Sequence, residues 1–504
     1  MKTIHLGIAV AASFLMQMAA LGSSSKGMLI ENALIADGTG ADMFNGDVRV
    51  RDGKIIAIGD LARQPGEHIV DAGGKVLAPG FIDTHSHHEG GLAEDPGALE
   101  AVSQGITTIV TGQDGGSQIP LSRMFAAYTA RPVAINIASY SGHNSIRGAV
   151  MGEDYKREAT PDEIAKMRAL LAEDMRAGAL GLSTGLEYDP GIYSSHDEVL
   201  ALAREAAASG GRYISHIRSE DRDLWSSVDE LIRIGRETGM PVQVSHAKLA
   251  MTDWWGQAGK FIGKLDRARA DGVNVTLDIY PYDYWHSGLS VLWPERNFDN
   301  RPVAEFILAH LTTPTNLRLV SFPPDPQLAG KTIADIAKQQ ARDPVTVLMD
   351  LVQRSADEAK GARILSTSMD ERDMIELMSW PYANFCSDGA LKGSHPRGAG
   401  AFPRALGRYV RDLKVMPLNQ AIYKMTGLSA RNMGISDRGV IRPGARADLV
   451  LFDPATVKDN ATVEQNTALA SGILKTWVNG GLVYSDGKAT GARTGQIIRR
   501  ESRK

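Results

Sequence analysis

The sequence predicts an α/β protein: a TIM-like (β/α)8 barrel with a small β-sandwich built from both termini. Three observations predict it. The 504 residues exceed one minimal domain and suit a barrel of roughly 250 to 400 residues plus a smaller module. Short apolar segments alternate with helical stretches through the middle of the chain, which is the pattern of repeated βα units. Both ends instead carry short alternating segments broken by Gly, Asp and Asn, and neither end alone has enough strands to bury a core.

Residues 1–22 place Lys2 ahead of an apolar run from Leu6 to Leu21, with Ala20 and Gly22 small enough for cleavage. This is the pattern of a secretory signal peptide, with an uncleaved anchor as the alternative. The run is short for a membrane span and contains Gln17, which favours cleavage and a periplasmic or secreted protein. The N-terminal part of the sandwich is expected over 27–78, where Asp52-Gly53 marks a hairpin. Its C-terminal part is expected over 437–500, with Asn479-Gly480 as the corresponding turn.

Between them, the barrel is expected over 79–436. A strand from Val76 to Ile82 runs into His85. Further strand candidates are Ile106-Val110, Val133-Ala138, Leu180-Ser183, Tyr213-Ser215, Val242-Ser245, Val273-Leu277, Leu317-Ser321 and Ala383-Phe385, one more than a barrel needs. Ile164, Met167, Leu170, Leu171 and Met175 recur at helical spacing over Pro161 to Arg176. Irregular spacing and proline-rich joints from about 286 to 369 indicate an insertion over the barrel mouth, as a lid or as a packing embellishment.

The chemistry is concentrated after the strands. In an extended segment, side chains two apart share a face, so His85 and His87 can direct imidazoles at one ion while His88 faces away. Asp114, His216, His246 and Asp388 each follow a strand candidate directly. Four histidines and two carboxylates at strand ends can hold one or two divalent ions, zinc foremost, with manganese, cobalt or nickel also compatible. The single cysteine, Cys386, excludes an internal disulfide and a thiolate-rich zinc site, and reads as a buried strand residue rather than a nucleophile. A formal charge of −4 offers no basic surface for nucleic acid, so the expected partner is a small molecule. Nothing beyond the N-terminal run is apolar for long enough to cross a bilayer. His143 follows another strand candidate and either lines the pocket or is an ordinary loop histidine. Trp254, Trp255 and Trp285 shape an acyl pocket or simply pack.

The run Ala78-Pro79-Gly80-Phe81-Ile82-Asp83-Thr84-His85-Ser86-His87 resembles the opening motif of the amidohydrolase superfamily. Gly185-Leu186-Glu187-Tyr188, His216-Ile217-Arg218-Ser219-Glu220, Ser245-His246-Ala247-Lys248, Asp278-Ile279-Tyr280-Pro281-Tyr282, Ser387-Asp388-Gly389 and His395-Pro396-Arg397 are similar to N-acyl-D-amino-acid deacylases. The likeness extends from about residue 27 to 500. It implies hydrolysis of the amide of an N-acyl-D-amino acid. Metal held by His216, His246 and Asp114, with His85 and His87 nearby, would activate water, and Asp388 would move the proton. It further implies that Lys248, Arg397 and the Tyr282 hydroxyl meet the substrate carboxylate. The chain departs from this pattern at Gly112-Gln113-Asp114-Gly115, where family members carry Gly-Asn-Cys-Gly, so a carboxylate replaces a thiolate. Residues 178–189 contain no lysine, which counts against the cyclic-amide hydrolases that bridge their metals with a carboxylated lysine. Two other readings are compatible with the sequence: a metallo-dipeptidase acting on D-residue or isoaspartyl dipeptides, and a non-catalytic barrel that binds without turnover.

Overall fold

Eight parallel segments form the centre of the protein, in a computed structural model that describes residues 27–356 and 361–501. Phe81–Asp83, Ile106–Thr111 and Asn136–Ser139 pair in one run. Ser141–Gly142, Gly181–Gly185, Arg212–His216, Val242–Val244, Val275–Ile279 and Ala383–Phe385 form a second. Asn136–Ser139 and Ser141–Gly142 are consecutive pieces of one stretch interrupted at Tyr140, whose N–H still donates to Thr111 O. At the other seam Asp388 N donates to His85 O and His87 N to Gly389 O, each at 2.8 Å. The segments are apolar on both faces because helices cover the outside, and every residue of Gly181–Gly185 and Val275–Ile279 is buried.

The covering helices follow local rules. Pro161–Ala177 begins with a Thr160/Glu163 capping box and Pro at its first turn, and it ends at Gly178, whose φ of 109° few side chains tolerate. It buries Met167, Leu171 and Met175, the stripe expected from the sequence.

Strands from both termini share one nine-stranded sheet rather than two separately bonded layers. The junction is antiparallel pairing of Val76–Pro79 with Leu449–Phe452, in register from Leu449↔Pro79 to Phe452↔Val76. Ile30, Ile35, Val48, Ile55, Leu77, Leu449, Leu451 and Trp477 form its apolar core. The expected signal peptide, 1–22, lies outside the described residues. No helix among the described residues is long and apolar enough to cross a membrane.

The surplus strand is Leu317–Ser321. It belongs to an antiparallel three-stranded sheet with Tyr284–Gly288 and Arg363–Thr367, within the span expected to be an insertion. Helices and turns around this sheet enclose a separate core that includes Trp293, Ile307, Leu319, Phe322, Ile336, Leu348 and Ile364.

Candidate active site

The C-terminal ends of the parallel segments and the insertion enclose a cavity of about 850 Å³. His87, Asp114, His216, His246 and Asp388 line it, together with Lys248, Tyr280, His286, Arg363 and Arg397. The strand before the first histidines ends at Asp83, so His85 and His87 stand on the turn beyond it rather than in the strand. Their rings still converge, with centroids 5.4 Å apart.

Three of the converging residues hold left-handed backbone: Asp114 (φ 52°), Asp388 (φ 49°) and His246 (φ 33°). Such conformations cost about 1–3 kcal/mol each and persist where the surroundings impose them. Here the surroundings are visible. Asp278 Oδ1 accepts from His246 N at 2.5 Å. Asp83 accepts from Ser387 N at 2.8 Å and from the Ser387 hydroxyl, fixing the residue before Asp388. Burial pushes the Asp83 carboxyl up to about 7, with the Ser387 hydrogen bonds opposing that shift. At Gly112 (φ 71°) an added Cβ would lie 2.2 Å from Tyr140 O, so the loop that presents Asp114 accepts no side chain there.

His85 Nε2 lies 3.4 Å from Asp114 Oδ1 and 3.6 Å from Asp388 Oδ1. His87 Nε2 lies 3.3 Å from Asp114 Oδ2 and 3.4 Å from Asp388 Oδ1. His246 Nε2 is 3.3 Å from Asp114 Oδ1 and 3.0 Å from His216 Nδ1. Donors held about 2.05 Å from a tetrahedral zinc stand about 3.3 Å from one another, so this spacing fits coordination. The donor set, imidazole nitrogen and carboxylate oxygen without sulfur, suits zinc and its harder divalent neighbours.

The far nitrogens of two histidines are held by carboxylates. His216 Nε2 meets Glu187 Oε2 at 2.8 Å, leaving Nδ1 toward the centre. His246 Nδ1 lies between Glu220 Oε1 at 3.0 Å and Lys248 Nζ at 2.8 Å, leaving Nε2 toward Asp114. Carboxylates in this position fix the ring orientation and raise ligand basicity. Burial alone would lower the His246 imidazole, and Lys248 adds to that, but Glu220, Asp114 and Asp388 outweigh both and hold it at about 10. Burial likewise opposes ionisation of Asp388. The charges of Arg397, His246 and His85 override it and keep the carboxylate well below the usual range. Arg397 Nη1 lies 2.8 Å from Asp388 Oδ2.

A model of the amidohydrolase family matches residues 68–310 and 321–484. The chain belongs to the amidohydrolase family. It is 36% identical to an N-acyl-D-glutamate deacylase of Alcaligenes xylosoxydans xylosoxydans, over 94% of this chain and 97% of that one. It is 35% identical to a D-aminoacylase of the same organism, with 94% and 97% covered. The crystal structure of an N-acyl-D-glutamate deacylase from Bordetella bronchiseptica, complexed with zinc and a phosphonate inhibitor that mimics the tetrahedral intermediate, superposes with a TM-score of 0.84. That pair shares 38% identity, covering 94% of this chain and 99% of the other.

In this amidohydrolase the six expected metal ligands converge, whereas two expected pocket residues lie elsewhere. The Tyr282 hydroxyl points to Asp459 Oδ2 at 3.5 Å, and Tyr280 takes its place on the cavity wall. His143 is buried against Glu198, 2.8 Å from Nε2 to Oε1, in a network with Arg147. Lys248 lines the cavity but is bound to both oxygens of Glu220 at 2.6 and 2.8 Å. Cys386 is buried and donates to Asp278 Oδ1, and burial pushes its thiol up. Glu187, Glu220 and Asp278 lie within the segments that resemble the deacylases, yet no local pattern marks them as partners of histidines on other strands.

Proposed function

We infer that the chain is a metal-dependent hydrolase that cleaves the amide of N-acyl-D-amino acids, giving a carboxylate and a free D-amino acid. The observation that carries this reading is the convergence of His85, His87, Asp114, His216, His246 and Asp388 at one cavity, beside buried polar atoms that have no hydrogen-bond partner among the described residues. Those atoms are Arg397 Nε, Tyr280 Oη and His286 Nε2. Unpaired buried donors cost about 1–3 kcal/mol each, a cost relieved when a ligand carboxylate accepts from them. Arg397 Nε and Tyr280 Oη therefore form the receiving set for a substrate carboxylate, and Lys248 is committed to Glu220. Full-length relatives named for deacylation of N-acyl-D-amino acids support the same substrate class.

A divalent ion, zinc in this reading, would supply an activated water and polarise the scissile carbonyl. The charges of Arg397, His246 and His85 favour the ionised form of Asp388, and in this reading that carboxylate takes the proton of the attacking water. It returns that proton to the leaving nitrogen as the C–N bond breaks, acting first as base and then as acid. Arg397, on the other carboxylate oxygen of Asp388, orients the group for both transfers. The eight parallel segments are read as one closed (β/α)8 barrel, supported by backbone hydrogen bonds at both seams, and the terminal sheet as a sandwich curled over its own core. Export to the periplasm or beyond is proposed from the apolar run Leu6 to Leu21.

The test is elemental analysis of protein purified without chelator, paired with amine release from N-acetyl-D- and N-acetyl-L-amino acids. Bound metal with D-selective release is expected. Bound metal with release only from D-residue or isoaspartyl dipeptides would replace the deacylase reading, and absence of metal and turnover after zinc addition would leave a non-catalytic binding protein.

A further inference from the structure

The antiparallel sheet of the insertion brings His286, Gly288 and Arg363 to the cavity. His286 pairs with Leu365 and Gly288 with Arg363, so His286 and Arg363 are diagonal neighbours on the same side of adjacent strands. Ile364, on the other side, packs into the insertion's own core. At Gly288, opposite Arg363, an added Cβ would approach nothing beyond its chain neighbours more closely than 3.8 Å. The space in front of the guanidinium is therefore open.

Five lysines and arginines line the cavity, and four of them have acidic company. Lys248 is held by Glu220, Arg296 by Asp189 and Arg397 by Asp388, while Lys392 lies in the field of Glu100. Arg363 is exposed at the cavity and makes no ion pair among the described residues. A solvated guanidinium is unremarkable by itself, since arginine is mostly an exposed residue. His286 is different, because its Nε2 is buried without a hydrogen-bond partner among the described residues. Burial, reinforced by the charges of Arg397 and Arg363, pushes the imidazole down to about 4, which favours the neutral ring. A neutral imidazole has one N–H to donate, and a buried donor left unpaired is costly.

We propose that His286 and Arg363 receive a second carboxylate of the substrate, so that the enzyme prefers N-acyl-D-amino acids that are dianions. The inference rests on the deacylase reading above and deepens it by naming the substrate class. Arg397 Nε and Tyr280 Oη take the α-carboxylate, which leaves the face carrying His286 and Arg363 for the other. That face fits an anion, since the guanidinium fork meets a carboxylate through two parallel hydrogen bonds and the imidazole supplies a third donor. The second carboxylate stands on the side chain of the D-residue or at the far end of the acyl group, and either presents the same chemistry.

The experiment is steady-state amine release by the metal-loaded full-length enzyme from two matched pairs of compounds. N-acetyl-D-glutamate against N-acetyl-D-glutamine tests the side chain, and N-succinyl-D-glutamine against N-succinamoyl-D-glutamine tests the acyl group. In one pair the acid should exceed its amide in kcat/KM by at least about tenfold, chiefly through KM, and that pair identifies the source. Arg363→Gln should cut the ratio to within about threefold. His286→Ala should lower it too, and His286→Asn, which keeps a donor, should retain more of it. Each ratio is taken on one preparation, so loss of folded or metal-loaded protein cancels. Ratios below about tenfold in both pairs would overturn the proposal and leave the deacylase reading in place, as would a ratio that Arg363→Gln leaves unchanged. Release from none of the four compounds would remove the deacylase reading instead. The proposal is then read from calorimetric binding of the same compounds to the same enzyme: tighter binding of a diacid that Arg363→Gln abolishes upholds it, and equal binding overturns it.

Discussion

Replacing Asp388 by Asn removes a charge and a basic site while keeping the shape of the side chain. The structure allows both consequences to be sized. Asp388 Oδ2 is 2.8 Å from Arg397 Nη1, and both side chains are buried. At that separation an effective dielectric of about 20 gives about 6 kcal/mol of Coulomb attraction. Much of this is offset, because holding a carboxylate out of water costs several kcal/mol and the amide oxygen still accepts a hydrogen bond from Arg397. The folded state should therefore lose only about 1–2 kcal/mol in urea unfolding. Catalysis should suffer far more. A positioned acid–base group contributes about 10²- to 10⁴-fold, and Asp388 is assigned both proton transfers, so kcat should fall by at least about 10³-fold. The assay is steady-state amine release with metal content and unfolding measured on the same preparation. Turnover within tenfold of wild type, with metal retained, would refute the role of Asp388; parallel loss of stability and activity would show that the residue serves the fold instead.

Glu220→Gln should weaken metal binding by about 10- to 100-fold, measured by chelator competition, because it removes the anion shared by Lys248 and His246. Glu198→Ala leaves Arg147 buried without its carboxylate and should cost about 3–5 kcal/mol of stability, while turnover per folded molecule is preserved, since the His143 network lies off the cavity. Lys424, whose ammonium donates to Ala383 O at 3.0 Å, is depressed from 10.5 to about 7 by burial. Between those values the unfolded chain binds a proton that the folded chain does not, so stability should rise with pH at up to about 1.4 kcal/mol per unit. Lys424→Met should flatten that slope in unfolding measured across the same window.

The six ligand candidates were legible in the sequence because each stands just past an apolar strand, and strand ends are where parallel α/β folds gather chemistry. The same local signal identified the alternating ends and the helix Pro161–Ala177. Leu317–Ser321 reads as a strand from its sequence, but β propensity does not say which sheet a strand joins. Here it pairs antiparallel with Arg363–Thr367 in the insertion.

The limits appear at particular residues. Tyr280 and Tyr282 are two apart, and alternation in a strand would place them on one face. The strand ends at Ile279, however, and past it the path of the chain sends Tyr280 to the cavity and Tyr282 to Asp459. Lys248 reads as a free cation until Glu220, 28 residues earlier, is seen to hold it. His143 follows a strand like the metal ligands do, but helix packing delivers Glu198 to its ring. The sequence by itself determined which donor atoms the centre could use, because residue type and position after a strand are local properties. Only the tertiary structure decided which nitrogen of each histidine faces inward and that Asp114 stands between His87 and His246. Those facts depend on hydrogen bonds and close approaches between segments 28 to 304 residues apart, which no local pattern encodes.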